Sequence, residues 1–184
     1  MLRRTFLWIV AIGFMLATTT AAQVRSGSAF LTMPPGARNQ AMAGAYAGVL
    51  DDPHALFINP AATGFLHEWQ WAASYSKWVA DIYNASFLYG RKIRMPWSQQ
   101  SRFAFGVLYQ GMPEFDSSNR QAPVASAGDM VAALSFGQPL SFLTDNISVG
   151  ANAKYLNSTL AQFTASAVMF DAGFTARTPR ISMG

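Results

Sequence analysis

The chain contains no cysteine, only two histidines and few charges, with Asp, Glu, Lys and Arg making up 12% of its 184 residues. Without cysteine there is no disulfide framework, no thiol catalysis and no thiolate metal site. A soluble domain carries about a quarter charged residues, so this chain is short of the groups that keep a surface in water. Yet after residue 22 no apolar run approaches the roughly 20 residues of a spanning helix. Low charge without such a helix points to a membrane β-barrel, whose closed ladder satisfies every backbone polar group without water. No basic cluster exceeds Arg91-Lys92-Ile93-Arg94, which excludes a nucleic-acid footprint.

The extreme N-terminus reads as a targeting segment. Arg3 and Arg4 precede an apolar stretch from Phe6 to Ala17, and Thr20-Ala21-Ala22 supplies small residues before Gln23. This pattern predicts a signal peptide over residues 1–22, cleaved after Ala22. Its loss takes Lys+Arg from 13 to 11 against 9 acidic residues, a mature charge of about +2.

Residues 23–67 divide into an extended lead-in and a predicted helical hatch. Ala41, Gly44, Ala45 and Gly48 fall at i, i+3, i+4 and i+7, which would align four small residues on one helix face. Such a face permits close backbone approach to a wall. Asp51 and Asp52 suit a helix C-terminus poorly, and are expected to open the next turn, with Asp52 capping and Pro53 first. Asn59-Pro60 repeats that device. These acids, with Asn59 and Pro60, are read as structural.

From residue 68 the period becomes two. Trp69, Trp71, Ala73 and Tyr75 alternate with Gln70, Ser74 and Ser76. Further runs cover Ile82–Arg91, Phe103–Gln110, Asp129–Gln138, Asn146–Leu156 and Leu160–Arg177. The sequence predicts polar turns at Arg94–Ser101 and Asn157–Thr159, and a long loop from Gly111 to Ala127. Six strands of about ten residues, apolar on one face and polar on the other, match an outer-membrane barrel better than a secreted sandwich. Trp69, Trp78, Tyr83, Tyr89, Trp97, Tyr109 and Tyr155 lie near strand ends, as interfacial girdles do. The expectation for 68–184 is a partial transmembrane antiparallel β-barrel facing outer-membrane lipid. Six strands are too few to close, so a fragment of a longer barrel is expected over protomers sharing one.

Little here suggests chemistry. His54 beside Asp51 and Asp52 is the one metal candidate, and turn capping explains it more simply, so no metal, cofactor or catalytic residue is assigned. Lys154 and Asp171 are placed on the lumen-facing side, where they could pair or touch the hatch, with solvation favoured. The Glu114–Asp116 stretch is read as an ordinary solvated loop.

In order along the chain, several segments together resemble the PorV/PorQ family of the FadL-like outer-membrane group. They are Ser28-Ala29-Phe30-Leu31, Gly36-Ala37-Arg38, Ala41–Tyr46, Asp51-Asp52 and Ala55–Ala61, followed by Gly111–Asp116 and Asp171-Ala172-Gly173. The resemblance implies a barrel of about fourteen strands with the N-terminal segment folded inside as a hatch. It also implies a non-enzymatic, structural or interaction role in type IX-like protein secretion, with secretion-system subunits or secreted cargo as partners. The alternative is FadL-like passage of hydrophobic small molecules.

Overall fold

The computed structural model describes residues 29–78, 81–96, 98–116, 124–141, 146–177 and 182–184. The signal peptide with its cleavage site, Trp97 and the side chains of Glu114–Asp116 lie outside the described residues. Seven antiparallel strands form one sheet in simple meander order: β1 (Trp69–Lys77), β2 (Tyr83–Met95), β3 (Ser98–Asp116), β4 (Val124–Pro139), β5 (Ile147–Leu160), β6 (Phe163–Arg177) and β7 (Ser182–Met183). The sheet curls into a half-barrel. No helix among the described residues is long and apolar enough to cross a membrane.

The alternation expected from sequence is present, and β2 to β6 run longer than the ten or so residues expected. Most of the predicted loop from Gly111 onward is ladder, since β3 continues to Asp116 and β4 begins at Val124. The register shifts between Met112 and Phe115, and this irregularity accommodates Pro113, which cannot donate to a ladder. β2 continues to Met95 and β3 begins at Ser98, so most of the polar region predicted as a turn after Arg94 is also strand. Asn157-Ser158-Thr159 is not a turn: these residues pair with Ser166, Ala165 and Thr164. The chain reverses instead at 161–162, where Ala161 takes a φ of 54°. A seventh strand of two residues, β7, lies beyond the six expected.

Among the described residues, the sheet is preceded by three 3-10 turns, η1 (Ala29–Thr32), η2 (Pro53–Phe57) and η3 (Pro60–Phe65), and one five-residue α-helix, α1 (Ala37–Ala41). The predicted helix through Gly48 does not form. Ala43 and Gly44 adopt φ of 51° and 83°, and Gly44 N–H returns to Asn39 C=O at 3.1 Å, a left-handed closure that ends the helix. Ala41, Gly44 and Ala45 are consequently exposed rather than packed on the wall. Gly48 does make a close approach, but to Ser182 of β7, whose Oγ donates to its carbonyl at 2.6 Å. The small-residue helix face is therefore a misreading.

The turns lie on the inner face of the sheet and make the core with it. Phe30, Leu56, Phe57 and Leu66 pack against Leu88, Ala104, Val131, Ala133 and Leu156. Tyr46, Leu50, Ala55 and Ala62 form a second cluster within the segment. The outer face carries Trp69, Trp71, Tyr75, Phe87, Phe105, Leu134, Phe170 and Phe174, all exposed. Aromatic neighbours meet across strands there, with Phe87 and Phe105 centroids 6.1 Å apart and Tyr83 and Tyr109 5.9 Å apart.

Candidate functional site

The residues that close on one another most tightly are those of 46–66 and the inward side chains beneath them. Each turn starts with a side-chain cap and a proline. Asp52 Oδ1 accepts from His54 N at 2.8 Å, with Pro53 next in sequence. Asn59 Oδ1 accepts from Ala61 N at 3.1 Å, with Pro60 next. Both caps satisfy turn donors that the backbone leaves free, as the sequence had suggested.

The opposite ends of these turns leave carbonyls unpaired, and the sheet supplies the donors. Asn152 Nδ2 donates to Leu56 C=O at 2.6 Å and Lys154 Nζ to Phe57 C=O at 2.9 Å. Arg102 donates through Nε to Leu66 C=O at 2.5 Å and through Nη1 to Gly64 C=O at 2.7 Å. The Thr63 and Ser135 hydroxyls are 2.7 Å apart. Lys154 also pairs with Asp171 at 2.6 Å. The inward polar residues thus hold the segment, and Lys154 is bound to it rather than simply solvated.

Three strand glycines make this seating possible. Gly137 opposes Gly150, and Gly150 opposes Gly173, so one bare row crosses β4, β5 and β6. A Cβ on Gly137 would collide with the backbone of Thr63 and Gly64, one on Gly150 with the Pro60 carbonyl, and one on Gly173 with Asn59 Oδ1. The close-approach surface expected on a helix is on the sheet.

At the other end of the segment lies a buried polar chain. Tyr46 donates its hydroxyl to Asp52 Oδ2 at 2.6 Å. His54 Nδ1 is 2.9 Å from Asp52 Oδ1, and His54 Nε2 is 3.0 Å from Ser86 Oγ on β2. Burial pushes the Asp52 carboxyl upward, but the bonds from His54 and Tyr46 outweigh it and hold the group below the usual carboxylate range. Burial, reinforced by the bond to Asp52, pushes the Tyr46 phenol up. Asp51 points away to Arg38 Nη1 at 3.0 Å, and both side chains are more than half exposed, so this pair contributes at most about 1 kcal/mol. His54, Asp51 and Asp52 do not converge on a point, and no group of metal-ligating residues occurs among the described residues.

The Asp52 arrangement predicts an acid limit to stability. Its folded pKa lies below the unfolded value, so the contribution is complete above about pH 4, the unfolded Asp value. It is lost progressively as pH falls below that. The urea midpoint of the wild type should fall between pH 5 and 3 by more than that of Asp52→Asn, which has no carboxylate there to protonate. Equal losses in the two proteins would mean that Asp52 is not the group responsible.

Several of these residues were not singled out by the sequence. Ser86 and Arg102 sit on the inward parity of β2 and β3, opposite the aromatic positions, and that parity was the available signal. Nothing local marks Ser86 as the partner of a histidine 32 positions earlier. Comparison with protein families, characterised proteins and solved structures returns no significant match to this chain.

Proposed function

We propose that this chain is an outer-membrane β-barrel protein of the PorV/PorQ type, with a structural or interaction role in type IX-like secretion that needs no catalytic step. The observation that carries this reading is the division of the half-barrel. Its outer face exposes a band of Trp, Tyr, Phe and Leu far richer than a water-facing sheet needs. Its inner face spends Arg102, Asn152 and Lys154 on holding residues 56–66 in place. A segment bound at so many points suits a fixed plug better than a moving gate. Expressed with its leader, the protein should be recovered only from the detergent-extracted membrane fraction, and should co-purify with secretion-system subunits without lipid in the lumen. Recovery as a soluble periplasmic protein would end this reading.

A second reading, passage of a hydrophobic small molecule, rests on an open cavity of about 680 Å³ beside the plug, lined by Phe57, Ile58 and Phe174 together with the polar Asn59, Lys154 and Asp171. Fatty acid or detergent retained there through purification, with uptake lost on deletion, would favour it over the first.

A further inference from the structure

Ser86, His54 and Asp52 stand in nucleophile–base–orienter order, although they come from β2, η2 and the cap of η2. Asp52 is an acceptor when ionised, so the imidazole must present its Nδ1–H to it across 2.9 Å. In the neutral imidazole that leaves Nε2 as the acceptor, and the Ser86 hydroxyl donates to it across 3.0 Å. This is the arrangement that activates a serine hydroxyl. The ring is held in place: Asp52 Oδ2 is tied to Tyr46, Oδ1 to the His54 backbone, and a Cβ on Gly36 would stand 2.9 Å from the imidazole carbons.

A second, independent feature lies in the same pocket. Asn84, two residues before Ser86 on β2, shares its face of the sheet. Asn84 Oδ1 accepts from Gln110 Nε2 at 2.9 Å, while its Nδ2 is buried with no hydrogen-bond partner among the described residues. A buried donor left unmatched is unfavourable, and a fixed donor with nothing to bind is what a developing oxyanion requires. Asn84 and Ser86 both line a pocket with Ser74, Tyr109, Phe30 and Met33.

We propose that Ser86 is an acyl-accepting nucleophile that hydrolyses esters of short acyl groups, with His54 as general base, Asn84 Nδ2 as oxyanion donor and Asp52 as a positioning residue. The pocket leaves about 20 Å³ for the centres of water-sized groups. A water occupies about 10–15 Å³ on that measure, so the space takes one or two water-sized groups, which limits the acyl part to the smallest kind and keeps a long acyl chain out. Ser86 Oγ bonds to the carbonyl carbon as its proton passes to His54 Nε2, and the carbonyl electron pair moves onto oxygen beside Asn84. Collapse breaks the carbon–alkoxy bond, and His54 returns the proton to the departing alcohol. Water then attacks the acyl carbon and gives a proton to His54. The carbon–Oγ bond breaks as Ser86 recovers that proton, releasing the carboxylic acid. This activity stands apart from any role in secretion, and it runs against the sequence-based expectation of a chain without catalysis.

The test uses the folded protein, a fluorophosphonate probe and p-nitrophenyl esters of increasing chain length. Peptide mapping of the labelled wild type should place the phosphonate on Ser86, with labelling abolished by heat denaturation. His54→Gln should label at least about 100-fold more slowly, the scale of a lost general base. Asn84→Ala should lower acetate-ester turnover about 100-fold, and Asp52→Asn should displace the pH–rate profile. Acetate should be preferred to octanoate. A chain serving only to pin the plug gives the opposite result: folded wild type leaves Ser86 unlabelled, while Ser86→Ala still lowers the urea midpoint. Label mapping needs no variant to fold, so an unlabelled Ser86 in the wild type overturns the proposal outright.

Discussion

Gly150→Leu should lift residues 59–64 off the sheet. The added Cβ would overlap the Pro60 carbonyl, and an obstructing backbone cannot rotate aside as the tip of a side chain can. Overpacking in a core costs about 1–3 kcal/mol when neighbours can adjust. Here relief requires η3 to leave, taking with it the burial of Ala61, Ala62 and Thr63 and the Arg102 and Ser135 bonds. The loss should therefore exceed about 3 kcal/mol, the upper end of that range. Urea unfolding followed by tryptophan fluorescence should show it as a lower midpoint. Hydrogen exchange should show lost protection over residues 60–66, while amides in β2 and β3 remain slow. Gly128→Ala is the control, because a Cβ there meets nothing nearer than 3.4 Å, and its midpoint should stay near that of the wild type. If Gly150→Leu behaves like Gly128→Ala, residues 59–64 do not seat on the glycine row.

That row explains what was legible in the sequence and what was hidden. Inward and outward parity could be read directly, because alternation is local, and the exposed Trp69, Trp71, Phe87 and Phe170 follow it. The Asp52-Pro53 and Asn59-Pro60 caps were equally local. Register was not. A turn centred on Ser158 would set Gly150 opposite Ser166, whereas the actual reversal at 161–162 sets it opposite Gly173. Displacing the turn thus concealed the only arrangement in which three glycines align. The four small residues at helical spacing then attracted the close-approach argument. Spacing alone could not reveal that Ala43 and Gly44 take left-handed conformations and break the helix. The Ser86–His54 contact was hidden for the same reason as the glycines, since it depends on where a distant turn lands on β2. Lys154 and Asp171 were placed on the inward side from parity. The carbonyl that Lys154 meets depends on the 3-10 path of Ala55–Phe57, which periodicity does not encode.

Asn59→Ala and Asn59→Asp should separate the cap from the tether. Asn59 is 5% exposed and works in two directions. Its Oδ1 caps Ala61 N–H, and its Nδ2 donates to Ala47 C=O at 3.1 Å and Phe174 C=O at 3.2 Å. One side chain thereby joins the η3 turn, the preceding loop and β6. Alanine removes all three bonds. Loss of the cap costs about 1 kcal/mol, and each of the two part-buried tether bonds contributes about 1 kcal/mol, so a total near 3 kcal/mol is expected. Aspartate keeps the cap, and a scale based on capping alone would rank it with asparagine. In this position its second oxygen would face two carbonyl oxygens at hydrogen-bond distance, with no proton between them. Asn59→Asp should therefore be at least as damaging as Asn59→Ala at pH 7, and should recover part of the loss at pH 4, where the carboxyl gains a proton and can donate again. Urea midpoints of the three proteins at the two pH values decide the matter. An aspartate variant as stable as the wild type at pH 7 would mean that Asn59 only caps its own turn, and that the attachment to β6 contributes nothing to holding the segment on the sheet.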